Sequence, residues 1–178
     1  MIVINLFGGP GSGKSTVMAG LFYRLKRKHC NVELASEYAK DLVFSQTLDK
    51  IPQEFIFAEQ HRRLQILKDN VDYAISDCPL ILSHMYYLRT TDPAKNKNSA
   101  AFLDYVIATH KCYENFNVLL ERPDVFTERG RVNTLEQSKE IDHQIVHLLS
   151  QHGFPFITLK TDENTVERIM SYYPFSCQ

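Results

Sequence analysis

The chain has 178 residues, of which 44% are hydrophobic and 23% charged, and its formal net charge is −1. These values are ordinary for a soluble globular protein, and the length supports a substantial core in a single domain spanning residues 1–178. No apolar run approaches the roughly 20 residues needed to span a bilayer. The near-neutral balance argues against a broadly basic nucleic-acid-binding surface, while leaving room for a local basic groove.

The start, Met1-Ile2-Val3-Ile4-Asn5, lacks the basic segment and cleavage site of a signal peptide. Cys30, Cys78, Cys112 and Cys177 are widely separated, with no C-x-x-C pair. That spacing suggests neither a zinc site nor a disulfide framework, and a reducing cytoplasm follows as the simplest location.

Taken in order, Ile2–Phe7 is an apolar run of buried-strand length. It enters Gly8-Gly9-Pro10-Gly11-Ser12-Gly13-Lys14-Ser15, which satisfies G-x-x-x-x-G-K-[ST] at every fixed position. Thr16 and a helical pattern follow at once, so strand, glycine-rich loop and helix stand in the order that motif requires. Gly8, Gly11 and Gly13 permit positive φ and leave no Cβ in the path of a phosphate. The loop amides then form an anion nest at the positive end of the next helix. Lys14 supplies a point charge for β- and γ-phosphates, and the Ser15 hydroxyl suits a Mg²⁺ ion. The motif predicts a nucleoside-triphosphate site, with ATP and Mg²⁺ as its ligands.

Lys14–His29 has helical periodicity through Val17, Leu21 and Leu25. Val32–Ala35 is a second strand, ending in Ser36-Glu37-Tyr38. A helix from Tyr38 carries Leu42, Val43 and Phe44. Pro52 opens another that runs to about Val71, with His61-Arg62-Arg63 on a solvated face. Tyr73–Ser76 is the third strand and delivers Asp77 before Cys78-Pro79. Leu80–Leu88 is helical, the polar stretch Thr91–Ala100 is a loop, and Ala101–Tyr113 is helical again.

Phe116–Leu120 forms the fourth strand, followed by a short arginine-rich, lid-like loop over 121–133. Thr134-Leu135-Glu136-Gln137 fits a capping box for a helix through Ile141, Ile145, Leu148 and Leu149. Asp142 falls in that helix as a surface or capping group. Phe156–Leu159 is the fifth strand, Asp162 caps a last helix, and Pro174–Gln178 is loosely held.

Strands alternate with helices throughout, which predicts an α/β fold: a five-stranded, mostly parallel sheet with helices on both faces. Ligands in such sheets bind beyond the carboxyl ends of the strands. Topology therefore brings Gly8–Ser15, Glu37, Asp77 and Arg122 to one rim. Asp77 is placed to help hold Mg²⁺, and Glu37 lies where a phosphate acceptor would stand, as base or hydroxyl holder. Arg122, Arg129 and Arg131 on the loop are suited to close over a transferring phosphoryl group.

With these pieces in place, the chain resembles the ribosylnicotinamide-kinase-like group of P-loop NTPases, which includes bacteriophage-encoded members. The resemblance rests on Gly8–Thr16, Glu37-Tyr38, Ala74–Asp77, the strand leading into the arginine loop, Asp142 and Phe156–Leu159. It implies a three-layer P-loop kinase fold with transfer of the γ-phosphate of ATP to a hydroxyl of a nucleoside-like acceptor. By it, Lys14, Ser15, Asp77 and Glu37 carry over as site residues.

The chain departs from the group at Cys78-Pro79-Leu80, where a second acidic residue is expected. The acceptor therefore stays open among a nucleoside, nicotinamide riboside, a nucleotide and a hydroxymethylated DNA base. A polynucleotide kinase using Lys95, Lys97 or Arg62-Arg63, and a nucleotide-dependent switch, are the rival readings. Nothing in the sequence sets the oligomeric state.

Overall fold

The computed structural model describes residues 1–92, 94, 96–123 and 134–176. The central strand β1 (Ile2–Phe7) is buried along almost its whole length, as a strand covered by helices on both faces must be. Its side chains alternate between two cores: Val3 and Phe7 join one, Ile4 and Leu6 the other. The flanking strands are β3 (Tyr73–Ser76) on one side and β4 (Glu114–Glu121) on the other. Beyond them lie β2 (Val32–Ala35), next to β3, and β5 (Ile157–Lys160), next to β4. Every pairing is parallel, so the sheet expected to be mostly parallel is wholly so among the described residues.

Helices α1 (Lys14–Arg27) and α7 (Thr165–Tyr172) cover one face through Val17, Leu21, Leu25 and Ile169. On the other face, α3 (Gln53–Gln65), α4 (Leu82–Thr90), α5 (Ser99–Lys111) and α6 (Leu135–Gln151) bury Phe57, Leu64, Met85, Val106, Ile145 and Leu149. The short α2 (Tyr38–Phe44) follows β2. Strand order reverses at β1, with β3 and β2 to one side and β4 and β5 to the other. That reversal opens a crevice at the carboxyl ends of the strands. The register aligns Asn5 with Ser76 and Phe7 with Leu119, so the three central strands finish close together.

Several boundaries differ from expectation for local reasons. The helix opened by Pro52 stops at Gln65, not near Val71, because Asp69 takes a left-handed φ of 66° and Asn70 Nδ2 caps the Ile66 carbonyl at 3.1 Å. The capping box at Thr134 is present in full, with Gln137 N donating to Thr134 Oγ1 and Thr134 N to Gln137 Oε1. Asp162 does not cap α7: it forms a turn in which its Oδ1 accepts from Asn164 N, and it pairs with Arg168. The segment 174–176 is held, because Phe175 packs on Tyr73 and Ser176 exchanges hydrogen bonds with the Tyr73 hydroxyl. Cys78 and Cys112 are free thiols, but Cys30 is disulfide-bonded, so cysteine usage does not argue for a reducing compartment. Among the described residues, no helix is long and apolar enough to cross a membrane.

Candidate functional site

The loop between β1 and α1 wraps the positive end of that helix. Gly13 precedes α1 in the left-handed region at φ 88°, and a Cβ there would stand 2.6 Å from Thr161 Cγ2. Thr161, just past β5, in turn donates its hydroxyl to the Ser12 carbonyl at 2.9 Å. The loop is thus braced from the far edge of the sheet. Lys14 Nζ folds back over its own loop and donates to the carbonyls of Gly8 at 2.6 Å and Gly9 at 3.1 Å. Burial lowers the Lys14 pKa, against the opposing pull of Glu37, Asp77, Cys78 and Asp142.

Asp77 leaves the end of β3 and is 3% exposed. Its Oδ2 accepts from the Ser15 hydroxyl at 3.1 Å, joining the β3 end to the first turn of α1. Its other oxygen, Oδ1, is buried without a hydrogen-bond partner among the described residues. A buried carboxylate oxygen left in this state is costly unless a cation or donor meets it. Ser15 and Asp77 therefore fit Mg²⁺, which is commonly held by one or two carboxylates together with substrate phosphates. Among the described residues, no group of three or more His, Cys, Asp or Glu is arranged to hold a metal.

Glu37 stands between β2 and α2. Its side chain makes no capping bond to α2, which removes the ordinary structural use of a carboxylate at that position. Burial raises its pKa; Lys14 opposes the rise and Asp77 adds to it. The Cys78 thiol is pushed well up, chiefly by burial and then by Glu37 and Asp77. Tyr86 of α4 is likewise raised by burial, with Cys78 and Glu37 as neighbours. Cys78 stood out in the sequence only as a departure from the family pattern, and Tyr86 not at all, because an aromatic on an apolar helix is an ordinary core feature.

Arg122 follows β4. Its Nη1 donates to the Pro10 carbonyl, and its Nη2 donates to Asp142 Oδ2 at 2.7 Å. Asp142 Oδ1 accepts from the Gly9 amide at 2.5 Å. Asp142 is therefore no surface or capping group: it ties α6 to the phosphate loop and pairs with Arg122. The expectation failed because its helix position is set by periodicity, whereas its partners come from two other elements. Arg63 departs from expectation in the same way. It is not a solvated cation but bonds Ser36, Asp41 and Glu59. His61 packs between the rings of Phe57 and Tyr113. Thr16 lies exposed on α1. Arg129 and Arg131, and most of the arginine-rich loop, lie outside the described residues.

Fold and loop together define a P-loop protein: a parallel sheet with the phosphate loop at its switch point and an aspartate one strand away. The chain belongs to the AAA_28 family, described as an AAA domain, whose model matches residues 3–168. No curated protein matches the sequence.

Among solved structures, deoxyadenosine kinase from M. mycoides with bound dCTP is similar at 20% identity and a TM-score of 0.61, covering 96% of this chain and 97% of that one. The same enzyme with bound dATP is similar at 20% identity and TM-score 0.58, covering 95% and 97%. NadR protein in complex with NR is similar at 13% identity and TM-score 0.73, covering 99% of this chain. This chain spans about half the length of NadR, 52% of it. These likenesses establish the three-layer α/β fold seen in those solved structures.

Proposed function

We propose that this protein is an ATP- and Mg²⁺-dependent phosphotransferase that moves the γ-phosphate to a hydroxyl of an uncharged, nucleoside-like acceptor. The observation that supports it is the meeting of Lys14, Ser15, Asp77 and a desolvated, non-capping Glu37 at one rim of the sheet. Loop amides from Gly8 to Ser15 cradle the phosphates, and Lys14 exchanges the Gly8 and Gly9 carbonyls for phosphate oxygens. Mg²⁺ held by Ser15 and Asp77 would neutralise charge on those oxygens. Glu37 orients the acceptor hydroxyl and takes its proton, a role suited by a carboxylate whose pKa is raised. Arg122 adds positive charge from the β4 side, and Arg129 and Arg131 would close over the phosphoryl group. We take residues 1–178 as one kinase domain working in the cytoplasm, where ATP is supplied.

Charge favours an uncharged acceptor. Glu37, Asp77 and Asp142 surround the rim, and the Arg63 guanidinium nearby is engaged by Ser36, Asp41 and Glu59. A phosphate on the acceptor would add negative charge beside Glu37 and Asp77, where, among the described residues, the Arg63 guanidinium already holds other partners. The engagement of Arg63 with Asp41 and Ser36 counts against its use for a polynucleotide substrate. The fold shared with a deoxyadenosine kinase is consistent with this reading.

The test is transfer of label from γ-labelled ATP to a panel of nucleosides, nicotinamide riboside, nucleoside monophosphates and hydroxymethylated DNA. Label is expected in a nucleoside, and Lys14→Ala should abolish it. Label in monophosphates or DNA would overturn the acceptor class. Label released only as inorganic phosphate, indifferent to every acceptor, would replace the kinase by a switch.

A further inference from the structure

We infer that Gln60, with Arg63 beside it, is a positioning residue that sets the backbone carrying Glu37; this rests on the proposed role of Glu37. Gln60 lies on α3 and is 1% exposed. It shares the buried stripe of Ile56 and Leu64, where an apolar side chain would be the default. Its amide is spent on the β2–α2 turn. Oε1 accepts from Tyr38 N at 2.9 Å, while Nε2 donates to Ser36 O at 3.2 Å and reaches Ala35 O at 3.5 Å. The two shorter bonds fall on the residues immediately before and after Glu37. A carboxamide of this length both accepts and donates at its one end; an ionised glutamate there could not donate, and an apolar residue could do neither.

Arg63, three residues further along α3, grips the same turn. Its Nη1 donates to Ser36 O at 3.2 Å and Ser36 Oγ at 3.0 Å, and its Nη2 to Asp41 Oδ2 at 2.6 Å. Its guanidinium lies 5.2 Å from the Tyr38 ring centre. The turn from Ala35 to Asp41 is therefore held from α3. Glu37 makes no capping bond to α2, so its own side chain does not supply that restraint. A displacement of about 1 Å in a reacting geometry can cost about 10²-fold in rate, so a buried clamp on both sides of Glu37 bears directly on turnover.

The experiment is a double-mutant cycle between Gln60→Met and Glu37→Gln, measured in acceptor-dependent phosphate transfer. Gln60→Met alone should lower kcat by about 10- to 100-fold, with the KM for ATP held within about twofold. Added to Glu37→Gln it should produce little further loss, because the residue it positions has already lost its function. If Gln60→Met does not fold, Arg63→Met on the less buried side of the clamp enters the same cycle with the same expectation. Equal losses in both backgrounds, or a KM for ATP that rises in step with the loss of kcat, would mean a merely structural role and overturn the inference. Wild-type protein that transfers phosphate to no acceptor would instead sink the functional reading, and this inference with it.

Discussion

Gly9→Ala tests whether α6 braces the phosphate loop. Gly9 is buried and gives its amide to Asp142. A Cβ on it would stand 2.5 Å from the Ser138 carbonyl oxygen, 2.8 Å from Asp142 Oδ1 and 3.2 Å from Arg122 Nη2. Ordinary carbon–oxygen contacts lie near 3.3–3.6 Å, so loop and helix must part by about 1 Å. Ser138 O belongs to the helical backbone of α6 and cannot swing aside. Overpacking of this kind costs about 1–3 kcal/mol, and weakening the charge-assisted bond to Asp142 adds about 1 kcal/mol or more.

A total of about 3 kcal/mol lowers the melting temperature by about 6–12 °C in a chain of this size. The displaced loop should also bind ATP less well, so the upward shift in Tm caused by saturating ATP and Mg²⁺ should shrink. Thermal melting with and without the nucleotide measures both effects. Gly153→Ala serves as a comparison: φ is 67° there but nothing lies within 4 Å, so it should lose about 1 kcal/mol by strain alone and keep the full ATP shift. A Gly9→Ala protein that melts with the wild type and keeps that shift would refute the brace.

Asp142→Asn keeps an acceptor for the Gly9 amide but removes the charge opposite Arg122; those side chains are 28% and 11% exposed. Urea unfolding should show a loss of about 1–3 kcal/mol, reduced from the value for a fully buried pair by solvent screening, together with weaker ATP binding. Glu37→Gln should lower kcat by about 10²–10⁴-fold and abolish the rise of rate with pH, whose inflection in the wild type lies above the ordinary glutamate value. Because the folded-state pKa is raised, Glu37 contributes stability at acid pH that is lost as pH rises through that value. The variant should therefore melt no lower than wild type at pH 7, whereas a structural carboxylate would show the reverse.

His110 is 1% exposed, and burial lowers its pKa to about 4 from 6.5. The folded value lies below the unfolded one, so stability is complete above pH 6.5 and falls as pH drops towards 4. Between pH 7 and 5 the loss should be about 2 kcal/mol, and His110→Leu should lack that component of the pH slope in urea unfolding. Equal slopes in the two proteins would contradict it.

Much of the architecture was legible in local pattern. The apolar run Ile2–Phe7, the spacing of Gly8 to Ser15 and the capping box at Thr134 each rest on interactions within a few residues of chain. Alternation of strands and helices was enough to bring Glu37, Asp77 and Arg122 towards one rim, because connection rules for parallel sheets leave few alternatives. Gln60 offered a faint signal, a polar residue on the stripe of Ile56 and Leu64. Asp142 offered none in its helix pattern, where it sits between Ile141 and Ile145 much as a solvated residue would, and entered only through the family resemblance. What only the tertiary structure decided is who meets whom across elements: Asp142 with the Gly9 amide and Arg122, Gln60 and Arg63 with the turn around Glu37, Thr161 with Ser12. Periodicity reports which side of a helix is turned inward. The partner waiting there depends on strand order and helix packing, which are properties of the whole chain and leave no mark on the few residues involved.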